Sequence, residues 1–414
     1  MQLEKYSFGI GDRFAHQGKA QLNAIIQAKQ AGIDIAPVWN KSHREHSIIN
    51  TKPESVRREA DSAVKELGWQ DAYYVDADHI NINNVDQFID SSDFFTLDVA
   101  DMIGQQASED EIEAFVKKYT TYAGSLRIEG IDEPVDITED IIRETASKVL
   151  LALKEAGSIY RHIESKKGRG NFITEVSMDE TDLPQTPVEM FFILAAIADE
   201  AIPAQTIAPK FSGRFNKGVD YVGNINQYEK QFNQDVAVIQ FAIKEFGLPE
   251  NLKLSIHSGS DKFSIYGPVN KAIRKFNAGL HVKTAGTTWL EEIIGLAAAG
   301  DRGLHIARKI YAEAYQRFDE LCGPYATVID IDKNKLPSID EVNNWTGSRF
   351  KSTVTHDLSC PDYNLNVRQL LHVGYKVAAE MGSEYIEALE RYEDVIADHV
   401  TYNIFERHIK PIFY

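Results

Sequence analysis

Short apolar or β-branched runs recur along the chain, each followed by polar residues and glycine and then by a segment with apolar residues three and four positions apart. That succession reads as strand, loop and amphipathic helix. Eight such runs stand out, at residues 6–11, 35–39, 71–75, 94–99, 171–176, 205–209, 253–257 and 279–283. Helical spacing fills most of the intervals, at 19–31, 54–67, 187–201, 226–246, 268–276 and 288–298. Strands alternating with helices pair in parallel, and eight of them are what a closed (β/α)8 TIM barrel requires.

Two stretches depart from the rhythm. Between the fourth and fifth runs lie an acidic helix at 108–122 and a long helix at 138–165, an elaborated crossover in which SLRIEG adds a small strand or a lid. Beyond residue 304 the pattern is helical to the end, with a long helix at 305–321 and a pair across 367–397. The expected organisation is a barrel catalytic domain over 1–304 and a helical C-terminal extension over 305–414 packed on it. A doubly wound open sheet is the other α/β arrangement, but no GxGxxG follows the first strand, so no nicotinamide is expected.

Composition narrows the partners. A chain of 414 residues, 43% of them hydrophobic, buries a full-sized core. Its net charge of -18 repels nucleic acid and anionic membrane surfaces, so an anionic substrate must meet locally gathered Lys and Arg. The two cysteines, Cys322 and Cys360, form neither a CxxC nor a disulfide framework, and MQLEKYSFGI lacks a secretory pattern. The longest apolar run, MFFILAAIA, is far short of the roughly 20 residues that span a bilayer. A cytoplasmic location is the expectation.

In a barrel the chemistry collects at the C-terminal ends of the strands, and polar residues cluster there strand after strand. Asp12, Arg13 and His16 follow the first run; Asn40, Lys41 and His43 the second; Asp76, Asp78 and His79 the third; Asp98 and Asp101 lie near the end of the fourth. The fifth carries Glu175 and then Asp179, the sixth ends at Lys210 with Arg214 beyond, the seventh at His257 with Asp261 and Lys262, and the eighth holds His281 and Lys283.

His79, His257 and His281 together have the composition of a catalytic divalent-metal site with an open position; taken singly, each also reads as a hydrogen-bonded core histidine. His16 and His43 are reserve ligands, whereas His372 sits on a helix, where a surface or packing role is expected, and His356 stands where it could reach over the mouth. Asp78 reads as a general acid/base beside the metal, or as a turn residue or a carboxylate orienting a ligand. Glu175, a carboxylate inside an apolar strand, reads as a ligand or proton-transfer group, against a structural salt bridge. Lys210 and Lys283, directly after apolar runs, and Arg214 and Lys262 further out, supply positive charge for a carboxylate or phosphate, with Asp12 and His16 completing the candidate substrate-binding set.

FGIGDRFAHQGKAQL, ITEVSMDETDLPQTPVEMFF, IAPKFSGRFNKGVDYVG, LSIHSGSDKFSIYGP, LHVKTAGTTWLEE and, in the tail, RQLLHVGYKVAAE resemble the tagaturonate epimerase family along most of the chain. The resemblance implies interconversion of D-tagaturonate and D-fructuronate, two small-molecule sugar acids of hexuronate catabolism. It also implies a divalent metal, zinc first, with nickel, cobalt and manganese as alternatives. Asp78-His79, His257 and His281 further resemble, by strand position, the zinc site of class II ketose-bisphosphate aldolases. Counted as a ketose, the inverted C4 is not α to the C2 carbonyl and is not acidified by it, so retro-aldol cleavage of C3–C4 and re-addition is the expected route. A lyase that releases the fragments is the nearest rival, and a non-catalytic sugar-binding barrel the distant one.

Overall fold

The computed structural model describes residues 1–414 apart from Glu180, Asp182 and Ala285. Among the described residues, eight strands make up the barrel: β1 (Tyr6–Ile10), β2 (Ala36–Ser42), β3 (Tyr74–Ile80), β4 (Phe94–Asp98), β5 (Ile173–Ser177), β6 (Thr206–Ala208), β7 (Lys253–Ile256) and β8 (Leu280–Lys283). Each pairs in parallel with its neighbours in chain order, and β8 closes on β1 with Ser7 opposite His281. The (β/α)8 expectation holds.

Side-chain alternation explains how this cylinder separates core from site. Outward-facing residues such as Phe8, Trp39, Val75, Phe95, Leu97, Val176, Leu254 and Val282 join the large apolar core beneath the surrounding helices. Inward-facing residues are apolar only at the bottom, where Ala36, Val38, Tyr74, Phe94 and Ile173 meet Leu3 in a separate small plug. One pleat higher the interior turns polar, with Asn40, Asp76, Thr96, Glu175 and Lys283 all buried. A buried polar layer requires internal pairing.

Where the structure departs from the expected boundaries, pairing outweighs local composition. The third run, expected at 71–75, is instead Tyr74–Ile80: Asp76 and Asp78 read as loop residues, yet their side chains find partners inside the barrel. The helix expected at 268–276 begins at Phe263, because Asp220 Oδ1 accepts from the Ser264 amide at 3.1 Å and secures its first turn ahead of Pro268. SLRIEG contributes Gly124–Leu126, which forms an antiparallel ladder with Val135–Ile137. The helix expected at 305–321 is divided into Asp301–Gln316 and Phe318–Cys322. The pair expected across 367–397 becomes four short helices, Leu365–Val373, Tyr375–Met381, Ser383–Arg391 and Glu393–Tyr402, broken among other places at Gly382, whose φ of +58° suits glycine.

The C-terminal helices share the barrel's apolar core: Ile306, Ile310, Leu370, Leu371, Ile396 and Ile404 join Trp289, Leu290 and Ile294. Helices Thr287–Ala299 and Glu393–Tyr402 touch at Gly295, where an added Cβ would come within 2.8 Å of Ile396 Cγ1 and 2.9 Å of its Cα. Gly295→Val should therefore destabilise the protein by about 1–3 kcal/mol through overpacking, read as a lowered denaturant midpoint. An unchanged midpoint would mean that the two helices are not tightly docked.

Candidate active site

Lys283 is the hub of the polar layer. Its Nζ lies 2.7 Å from Asp76 Oδ2, 2.8 Å from Asp78 Oδ1, 2.9 Å from Glu175 Oε1 and 2.5 Å from Thr96 Oγ1. Desolvation alone would strip its proton, but the surrounding carboxylates outweigh burial and hold the ammonium well above its ordinary value. Three carboxylates around one cation cannot all ionise freely. Burial raises Asp76 to about 7 despite Lys283, and Asp78 and Glu175 push it the same way. Asp78 and Glu175 are also opposed by burial, yet Lys283 and the histidines bring both below the usual carboxylate range.

Above this layer, His79 and His257 converge on Asp179. His257 Nδ1 is 3.1 Å and His79 Nε2 3.7 Å from Asp179 Oδ1, and the two rings meet edge to face at 4.9 Å. The remaining ring nitrogens are tied to carboxylates, His79 Nδ1 to Asp78 Oδ1 at 2.9 Å and His257 Nε2 to Glu175 Oε1 at 2.7 Å. A histidine that donates one N–H to a carboxylate turns its other nitrogen outward as a lone pair. Against the cost of burial, Asp78 and Asp179 raise His79 well above its ordinary value, and Asp179 and Glu175 bring His257 to about 8. Asp179 goes the other way, below its ordinary range, because the two imidazoles overcome its desolvation.

The backbone is bent to achieve this. Strict alternation would turn His79 away from Asp78, but the β3–β4 register shifts between Ala77 and Ile80, and His79 has a φ of +52°. The bulge re-aims the imidazole into the mouth, a strain that persists because the surrounding contacts hold it. Ala15, Ser258 and Asp261, on the neighbouring mouth loops, also have positive φ.

Donor atoms of His79, Asp179 and His257 all lie within 4.8 Å of one another. Two imidazoles, each bonded through its other ring nitrogen to a carboxylate, and the Asp179 carboxylate, beside an open cavity, fit a catalytic divalent transition metal, which would replace a proton on each ring. His281 takes no part in this group. It is wholly buried two residues before Lys283, its Nδ1 is 2.9 Å from Ser7 Oγ, and its ring lies against Phe94. Strand position made it look equivalent to His257; depth within the barrel separates them, and Asp179 stands where a third histidine was expected.

The cavity over the centre measures about 320 Å³, and Asp78, His79, Asp98, Asp179, His257 and Lys283 are among the residues that line it. Lys262 lines it too, but its ammonium donates to the carbonyls of Asn216, Val219 and Ser260 at 2.7–2.9 Å, so it braces a loop. Lys210, Arg214, Asp12 and His16 lie outside the lining. Arg214 pairs with Asp330 at 3.4 Å, and the Lys210 backbone is held by Gln185 and Gln231. The Asp12 carboxylate accepts the amides of residues 14 to 17 and shapes the loop after β1; His16 is within that loop, 4.0 Å from Glu390. His43 lines the mouth, whereas His356 is buried beside Asp261, 3.7 Å away, and Tyr363.

Sequence reasoning missed the C-terminal contribution. Tyr325 and His372 both line the cavity, and Gly286 allows the approach of His372, whose Nε2 would lie 2.4 Å from a Cβ placed there. His372 was expected to serve as a surface or packing residue; no local pattern announces that its helix leans over the mouth. Asp179, four residues after Glu175, carried a signal only in its place beyond a strand end.

A (β/α)8-barrel enzyme, with titratable groups and a candidate metal centre at the C-terminal ends of its strands, is the class these features define. The profile of the family described as tagaturonate epimerase matches residues 1–412. A tagaturonate/fructuronate epimerase from Thermotoga maritima is 27% identical over 422 aligned positions, covering 97% of this chain and 80% of that relative. Solved structures of a fructuronate-tagaturonate epimerase from Cohnella laeviribosi share the fold. A glycerol complex superimposes with a TM-score of 0.82 at 23% identity, and the native form with 0.78 at 24%, each covering 100% of this chain and 82% of the other. The chain belongs to the tagaturonate epimerase family, and its enzyme class is that of an isomerase. No helix of the described residues is long and apolar enough to cross a membrane.

Proposed function

We propose that this protein interconverts D-tagaturonate and D-fructuronate by inverting the ketose C4 centre, with a divalent metal, zinc first, held by His79 Nε2, Asp179 and His257 Nδ1. The observation that carries the reading is the convergence of those three donors at the mouth, each imidazole oriented by its own carboxylate. When bound, the ion supplies Lewis-acid polarisation of the ketose carbonyl. Asp78 and Glu175 hold the protons on His79 Nδ1 and His257 Nε2. Glu175 is fully buried and therefore acts through His257, whereas Asp78 lines the cavity and is positioned to take the C4 hydroxyl proton. Loss of that proton lets C3–C4 break into a C4 aldehyde and a C1–C3 enediolate. The aldehyde turns, the enediolate re-adds to its opposite face, and Asp78 returns the proton. Lys283, beside Asp78, offsets the negative charge that passes through the site.

The test is to incubate chelator-stripped and metal-restored protein with tagaturonate and follow fructuronate by chromatography. The expected result is conversion lost on stripping and restored by the ion, without accumulation of three-carbon fragments. Unchanged turnover after stripping sinks the metal role, accumulating fragments point to a lyase, and no conversion in either state leaves a binding barrel. In addition, Asp78→Ala removes the acceptor that orients His79 and should weaken metal affinity by about 10–100-fold in a competition titration. Affinity equal to that of the parent protein would contradict the orienting role.

A further inference from the structure

Five described cations line the cavity: Arg13, Arg44, Lys217, Lys262 and Lys283. Lys283 is enclosed by carboxylates and Lys262 by carbonyls; Lys217 donates to Ser258 Oγ at 2.8 Å, and Arg44 is exposed at the rim. Arg13 differs from all of them. It is only 6% exposed, yet its Nε and Nη1 have no hydrogen-bond partner among the described residues; Glu45, 3.2 Å from Nε, makes an ion contact alone. Asn40 is 2% exposed, lines the same cavity, and has neither its side-chain oxygen nor its nitrogen partnered among the described residues. Trp39 of β2 is in register with Ile10 of β1, so Asn40 stands at the level where the chain leaves β1 toward Arg13, and both line the cavity.

Buried donors left open are costly unless something arrives to fill them. Lys41 Nζ anchors the Arg13 backbone by donating to its carbonyl at 2.9 Å, and the Tyr375 ring lies 4.2 Å from the guanidinium Cζ. Tyr375 and Tyr325 share a hydroxyl hydrogen bond of 2.8 Å, which binds this support into the C-terminal helices. A planar cation fixed on an aromatic ring, with Nη1 unpartnered and Nε facing Glu45, beside an amide able to donate, matches a carboxylate in shape and charge.

We infer that Arg13, with Asn40, forms the subsite for the substrate carboxylate, and that Tyr375 makes the C-terminal helices part of the selection of sugar acids over neutral sugars. The inference rests on the sugar-acid reading above, and moves the carboxylate contact from Lys210 and Lys283 to the loop after β1.

The experiment titrates metal-loaded protein calorimetrically with D-gluconate and D-glucitol, which differ at the carboxylate and undergo no turnover. The parent protein should bind gluconate about 30-fold more tightly, and Arg13→Gln should reduce that preference to about 3-fold or less. An undiminished preference in Arg13→Gln, or no preference in the parent, overturns the inference. Should Arg13→Gln fail to fold, Arg13→Lys decides: the lost fork should reduce the preference about fivefold or more, and an unchanged ratio overturns the subsite. Failure of the epimerase reading would appear separately, as parent protein that does not convert tagaturonate whatever its binding ratio.

Discussion

On the metal-assisted mechanism proposed above, His257→Gln should lower the rate of conversion by about a thousandfold and abolish metal binding, because several kcal/mol of carbonyl polarisation would depend on the ion and each 1.36 kcal/mol is tenfold in rate. The position has no slack. One ring nitrogen faces Asp179 and the other donates to Glu175, so the side chain both offers a ligand atom and fixes its direction. Glutamine fills much of the volume but cannot meet both carboxylates at once. The informative contrast is His281→Gln, at the neighbouring strand but one layer down against Ser7 and Phe94. That variant should keep its metal. Metal content by elemental analysis, together with the rate of fructuronate formation, checks both; equal metal loss in the two variants would return His281 to the ligand set and remove the distinction drawn from depth.

Lys283→Met should destabilise the fold by about 3–5 kcal/mol as well as abolish turnover, since removing one partner of a buried ionic cluster leaves the others uncompensated. Asp76, Asp78 and Glu175 all lie within 2.9 Å of its ammonium. Adding Asp76→Asn should recover part of the loss. Asp76 is the carboxylate already raised to about 7, so removing its charge relieves repulsion with Asp78 and Glu175 without opening the His79 or His257 contacts. Urea midpoints of the single and double variants measure this directly. A single variant as stable as the parent would show that the carboxylates protonate and repack at little cost, and the lysine would then lose its structural role.

Much of the architecture was legible from periodicity, because a parallel barrel repeats one local rule: a run buried on both sides, then an amphipathic helix. That rule located seven of the eight strands, and the helix at 54–67 coincides with Glu54–Leu67. It failed at β3, where polar residues alternate inside a strand and find their partners in Thr96 on β4 and Lys283 on β8. Sequence also pointed to Asp78, His79, His257 and Lys283, at or just beyond the ends of apolar runs, and to Glu175, inside one, as candidates for a common site. It could not rank them by depth. Position along a strand sets the height of a side chain in the barrel only once the register with neighbouring strands is known.

What the sequence by itself determined is therefore the fold class, the end of the barrel where polar groups gather, and the family whose motifs the chain carries. The tertiary structure alone decided that Asp179 rather than His281 joins His79 and His257. It did so through a bulge that turns His79 inward and a register that sinks His281 to the level of Ser7. Only the packed structure brings Tyr325, His372 and Tyr375 from the C-terminal helices to the cavity and over Arg13 and Arg44, which follow β1 and β2. The physical reason is common to both cases. Hydrophobic patterning is a local property of the chain, while the partner of a buried charge is set by long-range closure of the barrel, which no local pattern records.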